Sequence, residues 1–396
     1  MNRDVRSFRE LSELNVCPRD RVLVFAPHPD DESLAVGGLL QRAAAAGAFI
    51  RTVFWTDGED NPWAQRLVER RVWLHADDRL RWGERRRSEV TAALHRLGLG
   101  ASHAWFWQVP DQRLEEILLE SAAPWIARVI GAISSVMPTL LVVPSLRDLH
   151  PDHSALAVLT RLALDQVQAV PEPRLLEYLI HGGGSDTPTG AVHLSLSDTE
   201  IAGKRAAIRC HASQLPLRSA MMLGFVQRVE TFRSPVPVLS RDSHHPIEQA
   251  AVDSKGLRLE RRLGRRPALG PSVLRFVWND AEGVSSASLL IPPRVAAVDV
   301  RDARRRAIGS AVVRRAGRVE TIEVLAPFVA AGAVRRLFVK LERPAERKLG
   351  FFDRAGWREA AIAGRAGATG GVPARALPAV DEVESDAPLS AHPHGQ

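Results

Sequence analysis

The N-terminal part of the chain alternates short apolar runs with longer amphipathic stretches. Residues 21–26 form an apolar run that ends at Pro27, which is typical of a parallel strand buried on both faces. Residues 34–46 have the length and pattern of a helix that ends at Gly47, and residues 49–55 form a second apolar run. This order predicts a β-α-β unit at the start of the fold.

The same alternation continues along the chain. Residues 85–97 are amphipathic, residues 104–109 are extended, residues 114–136 are mostly helical, and residues 139–144 form another apolar strand. Strands that alternate with helices predict an α/β fold with a doubly wound, mostly parallel, Rossmann-like sheet. Such sheets bind ligands at the carboxyl ends of their strands, and we expect the functional residues there.

The pattern changes after Phe232. Short alternating or apolar runs recur to residue 360 with turn signals between them and without a helix-length pattern, which predicts an appended antiparallel β domain. The predicted organisation is an N-terminal extension (1–20), the α/β domain (21–233), a linker (234–255), the β domain (256–360) and a disordered tail (361–396).

Composition narrows the class of protein. The chain has 396 residues, 45% of them hydrophobic and 25% charged, as expected for a globular protein with two domains. It has no apolar run of about 18 residues, and charges stand where a signal peptide would be apolar, so we expect a cytoplasmic protein without a transmembrane segment. These features are compatible with peripheral contact between the protein and a membrane surface. The net charge is +7, but no basic stripe is interleaved with aromatic residues, so we expect no nucleic-acid partner.

The first predicted strand runs directly into a cluster of charged residues at 28–32, with the sequence His-Pro-Asp-Asp-Glu. Three carboxyl groups and an imidazole in one turn are costly unless a cation neutralises them. The spacing lets His28 and Asp31 lie on one side of the turn while Asp30 stays free for proton transfer. The chain has only two cysteines, so a metal must be held by His, Asp or Glu. Alternatively, the acids complement the dipole of the next helix and cap its amide groups.

A second cluster of His and Asp residues, at 145–153, follows the strand predicted at 139–144. The carboxyl ends of parallel strands share one edge of a sheet, so the two clusters should meet there. His153 and His150 can then divide two tasks: one binds the metal, and the other, kept protonated by a nearby carboxylate, stabilises an oxyanion. Alternatively, both histidines cap the following helix.

The motifs resemble those of the PIG-L, or LmbE-like, superfamily of zinc-dependent de-N-acetylases. The resemblance covers residues 21–232 with several motifs in order, which makes chance agreement improbable. The matching segments are 28–32 (His-Pro-Asp-Asp-Glu), 56–59 (Thr-Asp-Gly-Glu), 86–89 (Arg-x-x-Glu), 150–153 (His-Pro-Asp-His), 204–214 (Lys…Ser-Gln) and 230–232 (Glu-x-Phe).

The resemblance implies a metal site and a nucleophile. It implies a zinc ion (Zn²⁺) held by His28, Asp31 and His153, with water activated by the metal as the nucleophile. Three protein ligands leave one zinc position open for chemistry, and the metal polarises the amide carbonyl.

The resemblance also implies the remaining catalytic residues. Asp30 would be the general base, His150 would stabilise the oxyanion, and Asp152 would orient His150. Three more motif residues are candidates for substrate contact, namely Arg86, Asp57 and Glu59. Arg86 could instead form an ion pair with Glu89 on its helix.

An Arg- and Trp-rich stretch at residues 62–84 separates two of these motifs. We predict a loop over the strand ends, where aromatic faces stack on a sugar ring; the alternative is that the tryptophans pin the loop to the sheet. His75, Asp77 and Asp78 resemble the ligands of a second metal site, but the sequence places no further partner beside them.

The predicted function is that of a zinc-dependent hydrolase, an N-deacetylase that removes the acetyl group of an N-acetylated amino sugar such as N-acetylglucosamine. The substrate would be a glycan, a glycolipid or a glycoside. One alternative is an amidase acting on a sugar-thiol or natural-product conjugate, and another is a catalytically silent sugar-binding scaffold.

The β domain has strands that alternate basic and apolar residues, so one face should be rich in arginine. That face could hold an anionic glycan or a lipid headgroup, or serve solubility alone. Because the motifs end at Phe232, we expect a chain that ends near Arg241 to keep the metal and the activity.

Overall fold

The computed structural model describes residues 12–167, 171–182, 191–234, 241–242, 245–264, 272–292, 296–329, 334–343, 345 and 352–363. The predicted disordered tail lies outside the described residues from residue 364 onward.

The first sheet and the helices that cover it come from residues 12–233. Its strands are β1 (Ser12–Glu13), β2 (Arg21–Ala26), β3 (Phe49–Thr56), β4 (Ala104–Val109), β5 (Leu140–Pro144), β6 (Arg174–Tyr178), β7 (Ala191–Ser195) and β8 (Val229–Arg233). The helices are α1 (Asp31–Ala45), α2 (Pro62–Glu69), α3 (Ala76–Arg96), α4 (Leu114–Glu120), α5 (Ala122–Val136), α6 (Pro151–Leu164), α7 (Asp198–Cys210) and α8 (Leu215–Leu223).

The strand order in this sheet is β1-β7-β8-β6-β5-β2-β3-β4. Strands β2 to β6 pair in parallel, whereas β8 is antiparallel to both β6 and β7. The α/β class is therefore confirmed, and most neighbouring strands of this sheet are parallel, although β8 makes it a mixed sheet. Apolar runs in the sequence show where strands lie and not their direction, which depends on the path of the chain through α7 and α8.

Helices cover both faces of the sheet and create two apolar cores. One core lies under α1, α3 and α7, with Leu39 and Val90 buried. The other lies under α4, α5 and α6, with Val129 and Leu156 buried. The segment 62–84, predicted as a loop, is mostly helical because it forms α2 and the start of α3.

The second sheet comes from residues 247–362. Its strands are β9 (Ile247–Asp253), β10 (Gly256–Arg262), β11 (Ser272–Asn279), β12 (Val284–Ile291), β13 (Ala296–Asp302), β14 (Ala307–Ala316), β15 (Val319–Leu325), β16 (Arg336–Glu342), β17 (Arg358–Glu359) and β18 (Ala361–Ile362). They follow the order β17-β16-β11-β12-β13-β14-β15-β10-β9-β18.

A second sheet-rich region is therefore present, as predicted, but it differs from a simple antiparallel sheet. Most neighbours are antiparallel, while β18 runs parallel to β9. The sheet also curls until β9 contacts β16 and β17, so it is nearly closed into a barrel. Strand β9 lies inside the predicted linker, and β1 lies inside the predicted N-terminal extension. The predicted domain limits stay a prediction.

The two sheets share an apolar core. Val277, Phe338 and Trp357 of the second sheet region are buried in the same cluster as the side chains of α5 and α6. The ammonium group of Lys340 is fully buried in this interface, 2.6 Å from Asp353 and in contact with Glu115 of α4. The second sheet is thus packed on one helical face of the first.

Among the described residues, no single helix is long and apolar enough to cross a membrane. Helices α4 and α5 reach that length and composition only as a pair, which is bent by 110°.

Candidate active site

The two predicted clusters meet at one edge of the first sheet. Residues 27–30 connect β2 to α1, and residues 145–150 connect β5 to α6. Because β2 and β5 are parallel neighbours, their carboxyl ends lie side by side. The Nδ1 atom of His28 lies 3.2 Å from the Nε2 atom of His153, although 125 residues separate them in the chain.

Three buried side chains place one donor atom each around a common point. The His28 Nδ1 to Asp31 Oδ2 distance is 3.5 Å, and the His153 Nε2 to Asp31 Oδ2 distance is 3.4 Å. Ligand atoms around a tetrahedral zinc ion lie about 3.4 Å from one another, because metal-ligand bonds are about 2.1 Å long. These three residues therefore fit a divalent cation, as the resemblance implies. His28 and His153 also belong, with His150, to a group of three histidines close enough to share an ion.

Carboxylates behind the two imidazoles hold their orientation. The Nε2 atom of His28 lies 3.2 Å from Asp111 and 3.3 Å from Asp152, and the Nδ1 atom of His153 lies 3.2 Å from Asp148. Carboxylate partners of this kind fix which ring nitrogen faces a metal. Burial lowers the pKa of His28, but hydrogen bonds to Asp111, Asp152 and Asp31 outweigh it and raise the pKa well above its usual value.

The supporting carboxylates were only partly foreseen. Asp148 lies within the second cluster, but Asp111 follows β4 and belongs to none of the predicted motifs. The signal that could have found Asp111 is its position two residues after a strand of the same sheet. Its carboxylate is buried beside His28, and its pKa is lowered because hydrogen bonding and the charge of His28 outweigh burial.

Asp30 adopts a strained backbone at the entrance to α1. Its φ angle is +144°, a region that residues other than glycine rarely adopt. It occupies the N-cap position of α1 without a side-chain capping hydrogen bond, so the capping alternative does not account for its carboxylate. Burial raises the pKa of Asp30, Arg86 opposes the rise, and Asp31 adds to it. A carboxylate with a raised pKa is suited to accept a proton.

Arg86 holds this region together. Its guanidinium donates hydrogen bonds to the carbonyl oxygens of Gly58 (2.8 Å) and Pro29 (2.6 Å), and lies 3.2 Å from the Asp30 carboxylate. The structure does not show the alternative pairing of Arg86 with Glu89, whose carboxylate lies 3.2 Å from Arg85. The Glu89 carboxylate instead accepts hydrogen bonds from the backbone and hydroxyl of Ser213, at 2.9 and 2.6 Å.

Asp57 and Glu59, predicted to contact substrate, make contacts with other residues of the protein. The Asp57 carboxylate pairs with Arg87 and accepts a hydrogen bond from Gln108 at 3.2 Å. The Glu59 carboxylate accepts the backbone N–H of Asp111 at 2.8 Å. Neither side chain lines the cavity next to His28. Both side chains therefore contact the loops that carry the site, and their contact with a substrate stays a prediction.

His150 caps α6, as the alternative interpretation held. Its Nδ1 atom accepts the backbone N–H of Asp152 at 3.3 Å. Burial lowers the pKa of His150 well below its usual value, and the charges of His28 and His153 lower it further. The lowered pKa favours a neutral His150, which differs from the protonated histidine expected from the sequence.

Asp152, predicted to orient His150, contacts two histidines of the site. Its carboxylate lies 3.3 Å from the ring of His28 and accepts the backbone N–H groups of Gln112 and Leu114, at 2.9 and 3.1 Å. Its backbone N–H donates a hydrogen bond to the Nδ1 atom of His150, and its orienting role stays a prediction. Asp152 thus connects the metal-binding region to the loop that precedes α4.

A cavity of about 130 Å³ opens beside His28, Asp30 and His150. Several of its walls were not predicted, including His181, Gln214 and Arg218. Phe352, which lies between β16 and β17 in the chain, also reaches this region, because its ring lies 4.8 Å from that of His181 and 5.6 Å from that of His150.

The tryptophans of the stretch 62–84 divide between the two interpretations. Trp63 lines the cavity and is 63% exposed, so it is placed to meet a ligand. Trp82 is fully buried in α3 and serves packing. The Asp78 carboxylate accepts the backbone N–H of His75 at 3.0 Å at the start of α3. This hydrogen bond explains why His75 and Asp78 lie together without a second metal.

The fold and the site together define an α/β protein with a His/Asp cluster, suited to a divalent cation, at the carboxyl ends of parallel strands. Residues 23–164 match the family described as PIG-L, GlcNAc-PI de-N-acetylase.

Curated relatives carry one recurring name, 1D-myo-inositol 2-acetamido-2-deoxy-alpha-D-glucopyranoside deacetylase. The relative from Mycolicibacterium gilvum is 29% identical over 208 residues, covering 46% of this chain and 70% of its own length. The relative from Mycolicibacterium smegmatis is 34% identical over 170 residues, covering 38% of this chain and 54% of its own length. The matches to most of these relatives span about half of their length or less.

Two examples of solved structures that are similar to part of this chain follow. A conserved protein from Thermus thermophilus is 26% identical, with a TM-score of 0.41, covering 56% of this chain and 96% of its own. An N,N'-diacetylchitobiose deacetylase from Pyrococcus horikoshii is 17% identical, with a TM-score of 0.39, covering 54% of this chain and 82% of its own.

Proposed function

We propose that this chain is a zinc-dependent hydrolase that removes the acetyl group of an N-acetylated amino sugar. The observation that carries the proposal is the triangle of donor atoms from His28, Asp31 and His153, together with Asp30, which lines the same cavity as His28. The PIG-L domain and the relatives, whose name describes deacetylation of an acetamido sugar joined to inositol, support this substrate class.

Zinc is the metal we propose for this site. Two imidazole nitrogens and one carboxylate oxygen form a ligand set that zinc accepts readily and that leaves room for substrate. When bound there, the metal would polarise the amide carbonyl and lower the pKa of water toward about 7.

Asp30 acts as the general base in this proposal. Its raised pKa lets the carboxylate accept a proton from the attacking water and deliver it to the departing amine. Arg86 positions Asp30 by contacting both its carboxylate and the carbonyl of the preceding Pro29. The strained backbone at Asp30 serves the same end, because it directs the side chain away from helix capping.

His150 stabilises the oxyanion as a neutral imidazole. Its Nδ1 atom accepts the N–H of Asp152, so the proton of the neutral ring resides on Nε2. An Nε2–H group beside the cavity can donate a hydrogen bond to the developing oxyanion without carrying a full charge.

The decisive experiment measures metal content and acetate release together. The purified chain should bind one zinc ion and release acetate from N-acetylhexosamine compounds. The His153→Ala variant should lose most of the metal, because a ligand is removed. The Asp30→Asn variant should keep the metal and lose about 10²-fold or more in kcat, since only the proton acceptor is removed.

Several results would contradict the proposal. Stoichiometric zinc in the His153→Ala variant would remove this residue from the ligand set. An unchanged kcat in the Asp30→Asn variant would show that Asp30 is not the general base. A chain that binds zinc and sugar but releases no acetate would be the silent scaffold, while cleavage of an amide other than acetamide would favour the conjugate amidase. The cytoplasmic location stays a prediction.

A further inference from the structure

An open groove of about 550 Å³ runs between α4 and the second sheet. Its volume is within the range of about 300–1,000 Å³ that is usual for small-molecule sites. One wall comes from α4 and the residues before it, and the other from β11, β12, β16 and the turn between β13 and β14. The second sheet therefore builds a cleft that the PIG-L domain alone does not have.

The groove reaches the metal-binding region. Gln112 and His150 line both this groove and the smaller cavity beside His28. Asp152 also lines the groove, while its carboxylate lies 3.3 Å from the ring of His28. A ligand whose acetamido group lies in the smaller cavity can therefore continue into the groove.

The lining of the groove is mostly polar. It offers the carboxylates of Glu116, Glu120 and Asp302 and the hydroxyl groups of Ser286 and Ser288, and no phenylalanine, tyrosine or tryptophan lines it among the described residues. A lipid acyl chain would favour walls that are mostly apolar, whereas polar side chains predominate in this groove. The lining carboxylates outnumber the lining guanidinium groups, which disfavours a polyanion. Carboxylates and hydroxyls at close spacing fit a chain of sugar hydroxyl groups.

The walls are held in place before a ligand arrives. Lys340 of β16, fully buried, contacts Glu115 of α4 and thus joins the two sides of the groove. Arg275 and Glu342 pair across neighbouring strands at 3.1 Å and stiffen the sheet side. A preformed groove binds its ligand without the entropic cost of ordering its walls.

We infer that this interdomain groove binds the sugar units that follow the acetylated residue, so that the substrate is a neutral, hydroxyl-rich oligosaccharide or glycoside. The inference rests on the proposed function and specifies its substrate class. The expectation that the arginine-rich face of the second domain holds an anionic glycan or a lipid headgroup concerns another surface and stays a prediction.

The test compares a short and a long probe on the full-length, zinc-loaded chain. The probes are N-acetylglucosamine and N,N',N''-triacetylchitotriose. Ala303, exposed in the turn between β13 and β14, lines the groove, so the Ala303→Trp variant should obstruct it. We expect kcat/KM for the trisaccharide to fall about 10-fold or more, mainly through KM, while the value for the monosaccharide stays within about twofold. The matched control is Ala307→Trp, which is exposed on β14 but does not line the groove.

Calorimetric binding of the trisaccharide separates this inference from the proposed function. If the Ala303→Trp variant binds the trisaccharide more weakly but even the unaltered chain releases no acetate, the groove is supported as a sugar site and the deacetylase proposal is contradicted. Equal kcat/KM for both probes, together with unchanged trisaccharide binding in the Ala303→Trp variant, would overturn the groove as a sugar site while the deacetylase activity stands.

Discussion

At the scale of single residues, the site depends on one glycine as much as on its charged groups. Gly58 has a φ angle of +64°, and its carbonyl accepts a hydrogen bond from Arg86. A Cβ atom at this position would overlap the guanidinium of Arg86. The loop after β3 can therefore approach Arg86 only because it has no side chain there, and Arg86 in turn positions Asp30.

The Gly58→Ala substitution should displace Arg86 as well as strain the backbone. We expect kcat to fall by about tenfold or more and the protein to be destabilised by more than the ~1 kcal/mol that a left-handed alanine costs. Activity assays and thermal unfolding measure both effects. The matched control is Gly47→Ala, where φ is +73° and no atom lies near the added Cβ. It should show the backbone cost alone, and an equal loss of activity in both variants would contradict the role of Arg86.

At the scale of secondary-structure elements, a buried ion pair connects three of them. The Glu230 carboxylate of β8 accepts the Lys204 ammonium of α7 at 2.6 Å and the backbone N–H groups of Gly38 and Leu39 in α1, at 2.7 and 2.9 Å. Both charged side chains are only 2% exposed. The Lys204 and Glu230 motifs of the sequence thus hold α1, and with it Asp31, in place.

Removing the ammonium group of Lys204 should leave the Glu230 carboxylate buried without a cation. We expect Lys204→Met to destabilise the protein by about 3 kcal/mol or more, as measured by urea unfolding. Adding Glu230→Gln should recover part of this loss, because the remaining charge is removed. Lys255→Met, in an exposed turn, is the control and should change stability by less than about 0.5 kcal/mol. A Lys204→Met variant as stable as this control would refute the structural role of the pair.

His245, just before β9, should make the free energy of unfolding depend on pH. Its Nδ1 atom accepts the N–H of Ile247 at 3.1 Å, and its Nε2 atom lies 3.4 Å from the carbonyl of Gly356. Burial, reinforced by the charge of Arg358, lowers the pKa of His245 to about 4, from 6.5 in the unfolded chain. The unfolded state therefore binds the proton more readily between these two values.

The stability contributed by neutral His245 should be fully present above about pH 6.5 and be lost as the pH falls toward 4. The loss amounts to up to about 3 kcal/mol. Unfolding free energies measured between pH 7 and pH 4 should therefore fall more steeply for the unaltered chain than for His245→Gln. Parallel curves for the two proteins would show that His245 titrates normally in the folded state.

At the scale of the whole molecule, the two sheet regions form one structural unit. Phe338 and Trp357 complete a core whose other members belong to α5 and α6, and Lys340 neutralises Glu115 of α4. The backbone N–H of Asp353 also donates to the carbonyl of Leu149, in the loop that carries His150. The second region therefore supports the active-site loop directly.

A chain that ends at Arg241 should consequently fold poorly, contrary to the sequence-based expectation. Its helical face would expose apolar side chains that Val277, Phe338 and Trp357 cover in the full chain. We expect aggregation on size-exclusion chromatography and no cooperative thermal transition. A monomeric shortened chain that binds zinc and releases acetate at the rate of the full chain would restore the expectation of independent domains.

The sequence by itself determined the α/β class and the two clusters, and the resemblance of its motifs selected the three metal-binding candidates. Each cluster is local in the chain and follows an apolar strand, and parallel strands bring their carboxyl ends to one edge. His28, Asp31 and His153 could thus be placed together before their distances were known.

Only the tertiary structure decided which partners these residues meet. The roles of Arg86, Asp111 and Asp152 depend on contacts between loops that are far apart in the chain, and local pattern carries no information on such contacts. The direction of β8 and the shared core at Trp357 also depend on the path of the chain in space. The groove exists only where two sheets meet, so no single segment of the sequence could reveal it.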